Sequence, residues 1–279
     1  MVRALQTAFT DSVIRCFVRT SSSRANLPES VQFAVGDLRD SRSLRQALAG
    51  ADTLVSLASL GFDWNDPVFE ALRGSTVTRG VFLSTTAILT KLPVKSKPVR
   101  EHGEALVRNS GIDWTILRPT MIYGTPADRN ISRLIRLVRR SPIVPVVAPH
   151  ARQQPVYVTD VADAVVAVLA SERTSRQTYN ISGRDPICLE EVIRTVAEVM
   201  GLNRRIVTVP LGLARSVVAF HERLARKPVI RVEQIDRLAE DKAFDHNAAL
   251  RDFGFAPLGF RDGVHREIAM MSFDREPIR

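Results

Sequence analysis

The sequence predicts an α/β fold: a doubly wound parallel sheet with a smaller C-terminal α/β lobe. Three observations carry this expectation. Through the first half of the chain, short β-branched runs alternate with helix-period segments, the pattern of a parallel sheet covered on both faces. With 279 residues, 45% of them apolar, the chain can fill one large core and an appended one. The second half mixes shorter strands and helices, so we divide the chain at 1–175 and 176–279, with some later segments returning to the first domain.

Taken in order, Val2, Leu5 and Phe9 have helical spacing, and VIRCFVR (13–19) is the first strand. VQFAVGDL (31–38) is the second and ends in Gly-Asp. SRSLRQALAG (41–50) places Leu44, Ala47 and Leu48 on one helical face and stops at Gly50. TLVSLAS (53–59) and GVFLSTT (80–86) read as buried strands. Residues 98–110 form a helix ending at Ser110-Gly111, and DWTILRP (113–119) is a strand cut off by Pro119. PVYVTD (155–160) is a short strand whose Asp160 caps a helix from Val161 to Ser171. TYNISG (178–183) is a strand or turn, Leu189–Met200 a helix closed by Gly201, and IVTVP (206–210) a strand. Residues 211–226 and 232–242 read as helical.

Composition excludes several function classes. No apolar stretch reaches the roughly 18 residues needed to span a bilayer; the longest, Val207 to Phe220, is interrupted by Arg215 and Pro210. The N-terminus lacks the apolar core of a secretory signal, and Cys16 and Cys188 lack metal-ligand spacing, so a reducing, cytoplasmic setting is expected. The net charge is +9, which permits anionic partners without choosing among them. Arg133, Arg136, Arg139 and Arg140 alternate with Leu134, Ile135, Leu137 and Val138 as on an amphipathic helix. This reads as a solvated face, with a peripheral membrane or partner contact as the alternative. Aromatic residues are sparse and not interleaved with basic ones, so nucleic acid is not expected as a partner. Neither a G-x-S-x-G elbow nor a paired-histidine metal motif occurs.

A dinucleotide fold normally opens with a strand, a glycine-rich turn and a helix. Here the first glycine is Gly36, and residues 1–9 resemble the back half of that first helix. The missing strand belongs in the centre of the sheet. Its loss either leaves ladder groups unpaired, at about 1–3 kcal/mol each, or draws its neighbours together. We therefore expect a natural start upstream of Met1. The alternatives are a degenerate remnant and a scaffold that no longer holds nucleotide tightly.

Five segments occur in a familiar order: GDLRDSRSLRQALAGAD (36–52), GIDWTILRPTMIYG (111–124), QQPVYVTDVADAVVAVL (153–169), TYNISG (178–183) and DKAFDHNAALRDFGFAP (241–257). On these the chain, from about residue 2 to about residue 270, resembles the atypical and extended short-chain dehydrogenase/reductases. The likeness is greatest to the NAD-dependent epimerase/dehydratase group that includes complex I accessory subunits. The resemblance implies a Rossmann-like domain lacking its first strand, an NAD or NADP cofactor, and a small-molecule substrate of nucleotide-sugar or isoprenoid type. Substrate would lie between the sheet's carboxyl edge and the C-terminal lobe.

Residue by residue, the resemblance implies adenine contacts from Asp37 and Leu38, with a turn-stabilising Asp37 as the alternative. Arg19 stands where the adenosine ribose sits; a bidentate pair with a 2′-phosphate, and no acidic residue nearby, favours NADP over NAD. Ala58 and Ser59 end a strand near the pyrophosphate and ribose, and Ser84 ends the next. Thr86 is the counterpart of the hydroxyl that polarises the reacting oxygen, and Pro119, Thr120 and Ile122 of the segment around the nicotinamide. Arg118 has internal pairing as an equal alternative to ligand contact.

The family's Tyr-x-x-x-Lys pair falls on Ser96 and Arg100 when the helix is anchored on Glu104. A serine hydroxyl does not ionise near neutral pH, and a guanidinium holds a ribose but does not readily donate a proton. Lys95 and Lys97 are neighbours that a register shift would bring into play, and Tyr123 lies off this helix. The proton donor is thus unassigned. Two readings follow: an oxidoreductase or epimerase-like enzyme, and a catalytically inactive cofactor-sensing or assembly subunit.

Overall fold

The computed structural model describes residues 1–62, 64–224 and 231–271. The last two residues of the helix expected over 211–226 therefore lie outside the described residues, as does the end of the lobe. Helix α1 (Val2–Ala8) leads into strands β1 (Arg15–Val18) and β2 (Gln32–Val35). Then come α2 (Ser41–Leu48), β3 (Thr53–Ser56), α3 (Asn65–Leu72), β4 (Arg79–Leu83), α4 (Ser96–Arg108) and β5 (Asp113–Pro119). Short β6 (Ile122–Tyr123), α5 (Ile131–Arg140), β7 (Ile143–Val147), β8 (Arg152–Gln153) and β9 (Val156–Tyr157) follow. The chain continues through α6 (Val158–Leu169), β10 (Gln177–Ile181), β11 (Ile187–Cys188), α7 (Leu189–Val199) and β12 (Arg205–Val209). Helices α8 (Leu211–Leu224), α9 (Val232–Ala239), α10 (Asn247–Phe253) and α11 (Phe260–Met270) complete it.

A parallel sheet of order β10-β5-β4-β3 forms the centre. Strand side chains alternate between two cores, as a period of two requires. Val81, Leu83 and Leu117 meet Leu5, Val161, Val165 and Val168 on the α1–α6 face. Phe82, Trp114 and Ile116 meet Leu44, Phe69, Leu72 and Val107 on the α2–α3–α4 face. Strand β4 is buried along Gly80–Leu83 because it has a strand on each side and a helix layer on each face.

Strands β1 and β2 pair only with each other, as a parallel ribbon. Ile14 and Val55 enter one core, Phe17 and Leu54 the other, so β1 and β3 border the same two layers. No ladder joins them among the described residues. Of the two expected arrangements, the open one is observed among the described residues: β1 and β3 do not close up.

The second assembly is built on β7–β12, a parallel pair, with β8–β11 antiparallel. Its core joins Ile131, Ile135 and Val138 of α5, Val144 and Val146 of β7, Val192 and Val196 of α7, and Val264 of α11. The division at residue 175 is crossed in both directions: α5 and β7 precede it yet pack with the later lobe, while β10 is a later segment that returns to the first domain and extends the central sheet. Burial of their apolar faces, not chain order, decides these memberships. The helix at 158–169 also starts earlier than expected. Tyr157 occupies the capping position, and Asp160 lies in the first turn, where its Oδ2 accepts the Leu258 amide at 2.9 Å. No helix among the described residues is long and apolar enough to cross a membrane.

Candidate functional site

The carboxyl ends of β3, β4 and β5 converge with the start of α4. At the end of β4, the Ser84 amide donates to Leu117 O at 2.7 Å, and its hydroxyl donates to Glu104 Oε1 at 2.7 Å. Glu104 is fully buried and receives Arg118 through two bonds, Nε to Oε1 at 2.8 Å and Nη2 to Oε2 at 2.5 Å. Arg108 adds a third, at 2.7 Å to Oε2. Burial by itself would raise the Glu104 pKa; hydrogen bonds from Arg118, Ser84 and Arg108, with the Arg118 charge, outweigh it and hold the carboxyl below its usual value. Arg118 thus takes the internal pairing. A cavity of about 390 Å³ opens beside this cluster, lined also by Ile88, Leu89, Lys97 and Glu101.

Thr86 starts a short 3₁₀ turn after β4 and donates to Pro119 O at 3.3 Å, which joins two of the expected site positions. The Thr120 hydroxyl turns toward Gln154 O, at 2.5 Å, and is buried. Ile122 pairs in β6 with Val156 and packs into the central core.

On the first turn of α4, Arg100 Nη1 donates to Ser96 Oγ at 2.8 Å, across the i, i+4 spacing. Arg100 Nε is buried with no hydrogen-bond partner among the described residues. It lies against the loop after β3: a Cβ at Gly61 would stand only 3.1 Å from it. In the same loop Ser59 Oγ accepts the Gly61 amide at 3.2 Å, and Ala58 is half-buried. Burial lowers the Arg100 pKa, Arg237 on α9 lowers it further, and Glu233 on α9 opposes them. Ser59, Gly61, Ser96 and Arg100 are therefore together at the strand ends. A buried guanidinium donor without an acceptor suits an anionic or hydroxyl-rich ligand.

Arg19, Asp37 and Leu38 lie beyond β1 and β2. Arg19 is exposed, Asp37 Oδ1 accepts the Arg39 amide at 2.9 Å in a tight turn, and Leu38 packs beside the α2–α3–α4 core. Lys97 Nζ donates to Thr90 O at 2.9 Å, and Lys95 is exposed.

All three tyrosines lie off α4. Tyr123 donates to Phe260 O at 3.3 Å and Tyr179 to Asp252 Oδ2 at 2.9 Å; Tyr157 stacks edge-on to Tyr123. Burial raises the pKa of each. Sequence reasoning missed the strap that follows α9. Glu240 accepts Thr90 Oγ1 at 2.7 Å and the Lys91 amide at 2.8 Å, Asp241 accepts the Arg152 amide at 2.8 Å, and Lys242 Nζ donates to Arg237 O at 2.5 Å. The helix expected over 232–242 takes in 240–242, but α9 ends at Ala239 and the strap follows in extended form.

Residues 2–172 match the family model described as NAD(P)H-binding. The chain belongs to this NAD(P)H-binding family. Among relatives of the family, a ceramide reductase of Caulobacter vibrioides is 27% identical over 191 residues, 64% of this chain and 60% of that protein. Subunit 9 of the NADH dehydrogenase (ubiquinone) 1 alpha subcomplex of Arabidopsis thaliana is 24% identical over 235 residues, 76% of this chain and 58% of that protein. The matches thus span about three-fifths of the length of these two relatives. An N-acetyl-alpha-D-glucosaminyl-diphospho-ditrans,octacis-undecaprenol 4-epimerase of Escherichia coli O157:H7 is 26% identical over 247 residues, 76% of this chain and 73% of that protein. These relatives place the NAD(P)H-binding chain among the epimerase/dehydratase-like short-chain dehydrogenase/reductases.

The fold is shared with a triphenylmethane reductase of Citrobacter sp. solved with NADP(H), at TM-score 0.77 and 19% identity, covering 95% of this chain and 94% of that one. A dTDP-glucose 4,6-dehydratase of Streptomyces venezuelae solved with NAD gives TM-score 0.73 and 17% identity, covering 98% and 93%.

Proposed function

We propose that this protein is an NAD(P)-dependent oxidoreductase or epimerase-like enzyme acting on a lipid or lipid-linked small molecule, a class that takes in the isoprenoid type, one of the two expected from the sequence beside nucleotide-sugars. The observation that carries the reading is the buried, partnerless Nε of Arg100 beside Ser59 and Gly61 at the strand ends. Membership of the NAD(P)H-binding family gives that donor a ligand class, and ceramide and undecaprenol in two relatives' names support the substrate class.

When bound, the dinucleotide supplies or accepts a hydride. Arg100 holds the nicotinamide ribose, and its bond to Ser96 keeps the guanidinium aimed along the rim. Ala58 and Ser59 line the approach of the pyrophosphate, and Pro119 with Thr86 borders the reacting end. Exposed Arg19 pairs with a 2′-phosphate, which favours NADP. The hydroxyls of Ser84 and Thr120 serve inside the protein, to Glu104 and Gln154, so their contribution to binding is to fix the strand ends. Likewise the Asp37 carboxylate shapes its turn, leaving Leu38 as the apolar contact for adenine. The two cysteines are separate thiols, in keeping with a reducing, cytoplasmic compartment.

A second reading, a cofactor-sensing or assembly subunit, is favoured by one specific observation: no tyrosine stands on α4, and Tyr123 and Tyr179 are bonded elsewhere. Thermal denaturation with NADPH, NADH or no ligand, combined with NADPH oxidation in the presence of polyisoprenyl-linked sugars or ceramide precursors, separates the readings. Ligand at 100 times its Kd adds about 2.7 kcal/mol of apparent stability. We expect a shift with NADPH that Arg100→Ala removes, together with turnover. A shift without turnover selects the assembly reading. No shift with either dinucleotide overturns both.

A further inference from the structure

We propose that His246 is the proton-transfer residue of the site, its imidazole Nε2 facing a cavity that receives the carbonyl or hydroxyl end of the substrate. The inference rests on the enzyme reading above and supplies the group which that reading leaves open. Ser96 and Arg100 do not give up a proton near neutral pH. Lys97 Nζ is committed to Thr90 O, and Tyr123 and Tyr179 donate within the protein.

The cavity adjoins the strand-end rim. The Thr120 amide donates to Ile181 O at 3.0 Å, which carries the β5–β10 ladder past Pro119 and leaves Ser182 as the next residue along. Gln154 then joins three segments. Its carbonyl accepts the Thr120 hydroxyl at 2.5 Å, its Nε2 donates to Gly183 O at 2.8 Å, and its Oε1 accepts the Phe244 amide at 2.8 Å. Gln154 also lines a cavity of about 250 Å³, together with Pro186, Ala243, Phe244, Asp245 and His246. Pockets that enclose a whole drug-sized ligand run to roughly 300–1,000 Å³, so this one takes one end of a substrate. Asp245 is its one charged lining residue among the described residues, and Oδ1 there accepts the Asn247 amide at 2.8 Å.

Hydrogen bonding fixes the state of the ring. His246 Nδ1 lies 2.7 Å from Ser182 Oγ, and Ser182 Oγ lies 2.8 Å from Phe244 O. A hydroxyl has one proton and a carbonyl only accepts, so Ser182 donates to Phe244 O and accepts from Nδ1–H. The neutral ring therefore has its lone pair on Nε2, and the protonated ring offers the Nε2 proton. Nε2 has no hydrogen-bond partner among the described residues. Phe255 packs edge-on to the ring, centroids 5.5 Å apart, and holds its plane. Ser182 is fully buried with its proton already donated, which makes it a positioning residue and not a nucleophile.

In the reducing direction, hydride from NADPH adds to the substrate's carbonyl carbon and the C=O π pair moves to oxygen. That oxygen takes the Nε2 proton and leaves neutral imidazole; oxidation runs the same transfers backwards.

The first test needs no substrate: heteronuclear NMR of the full chain labelled on histidine, with His246→Asn identifying the signal. We expect the neutral ring in the Nδ1–H form, and Ser182→Ala to shift it toward Nε2–H. The second follows NADPH oxidation against pH with polyisoprenyl-linked sugars or ceramide precursors. Asparagine keeps a donor for Ser182 but holds no transferable proton. His246→Asn should lower kcat roughly 100-fold or more, abolish the fall in rate on the alkaline side of the parent's profile, and keep the parent's thermal shift with NADPH. The proposal is overturned if the neutral ring carries its proton on Nε2, or if the variant turns over within about threefold of the parent. It is equally overturned if the alkaline limb survives in His246→Asn and vanishes in Lys242→Met, which would assign the proton to the ammonium now donating to Arg237 O. Failure of the cofactor reading is distinct, since it appears as a parent with no NADPH shift. A parent that shifts but turns nothing over supports the assembly reading and overturns this proposal with the enzyme reading.

Discussion

Glu104 has no exposed surface, and its carboxylate receives Ser84, Arg108 and two bonds from Arg118. This single side chain ties α4 to the ends of β4 and β5, and so sets where Ser96 and Arg100 stand. Because its pKa is held below the usual value, its contribution is fully present above the unfolded carboxyl's pKa and declines as the pH falls through the folded one. Removing the acid leaves the half-buried Arg118 without its counter-charge. We expect Glu104→Ala to cost about 3–5 kcal/mol in urea denaturation at neutral pH, and an Arg118→Met partner change to restore part of it. A loss under 1 kcal/mol would show that the cluster does not anchor the helix. In the sequence Glu104 served to align the helix and Arg118 had two open roles. Their meeting was not legible, because residues on different elements are brought together by packing, not by spacing.

At the scale of elements, the split between the β1–β2 ribbon and the β10-β5-β4-β3 sheet has a measurable consequence. Ladder groups on the facing edges of β1 and β3 lack strand partners, whereas β4 and β5 are paired on both sides. Amides along β1 and β3 should therefore exchange hydrogen at least about tenfold faster than those of β4 and β5 under native conditions, through local opening. Equal protection across all four strands would mean that the edges are closed in solution. The strands themselves were readable from β-branched runs, α2, α4 and α7 from helical segments with glycine stops, and α6 from the cap expected at Asp160. Whereas β9 lies within the strand expected over 155–160, the two-residue strands β6, β8 and β11 were not separately readable, since so short a stretch has no period. Neither was the early start of α6, where Tyr157 rather than Asp160 precedes the first turn.

At the scale of the whole molecule, Glu267 on α11 is buried where the second assembly meets the loop before α5, and neither of its oxygens has a hydrogen-bond partner among the described residues. Burial, with Asp128 close by, pushes its pKa up to about 9. The folded protein therefore carries a proton there at neutral pH that the unfolded chain does not. By linkage, stability falls as the pH rises from the unfolded carboxyl's value through about 9. We expect the melting temperature to drop between about pH 5 and about pH 8, and Glu267→Gln to flatten that drop. An unchanged profile in the variant would place the titration elsewhere.

The alternation of strand and helix and the i, i+4 spacing of Ser96 and Arg100 are properties of residue order, and order alone conveys them. Which polar groups are already committed is a different matter. Ser84 bonded to Glu104, Thr120 to Gln154 and Arg100 left with a buried free donor are outcomes of elements distant in the chain closing around one rim. Leu213, Val217 and Phe220 of α8 belong with these: they read as part of one apolar run, and only the packing of Ala214 inward shows that they remain facing solvent.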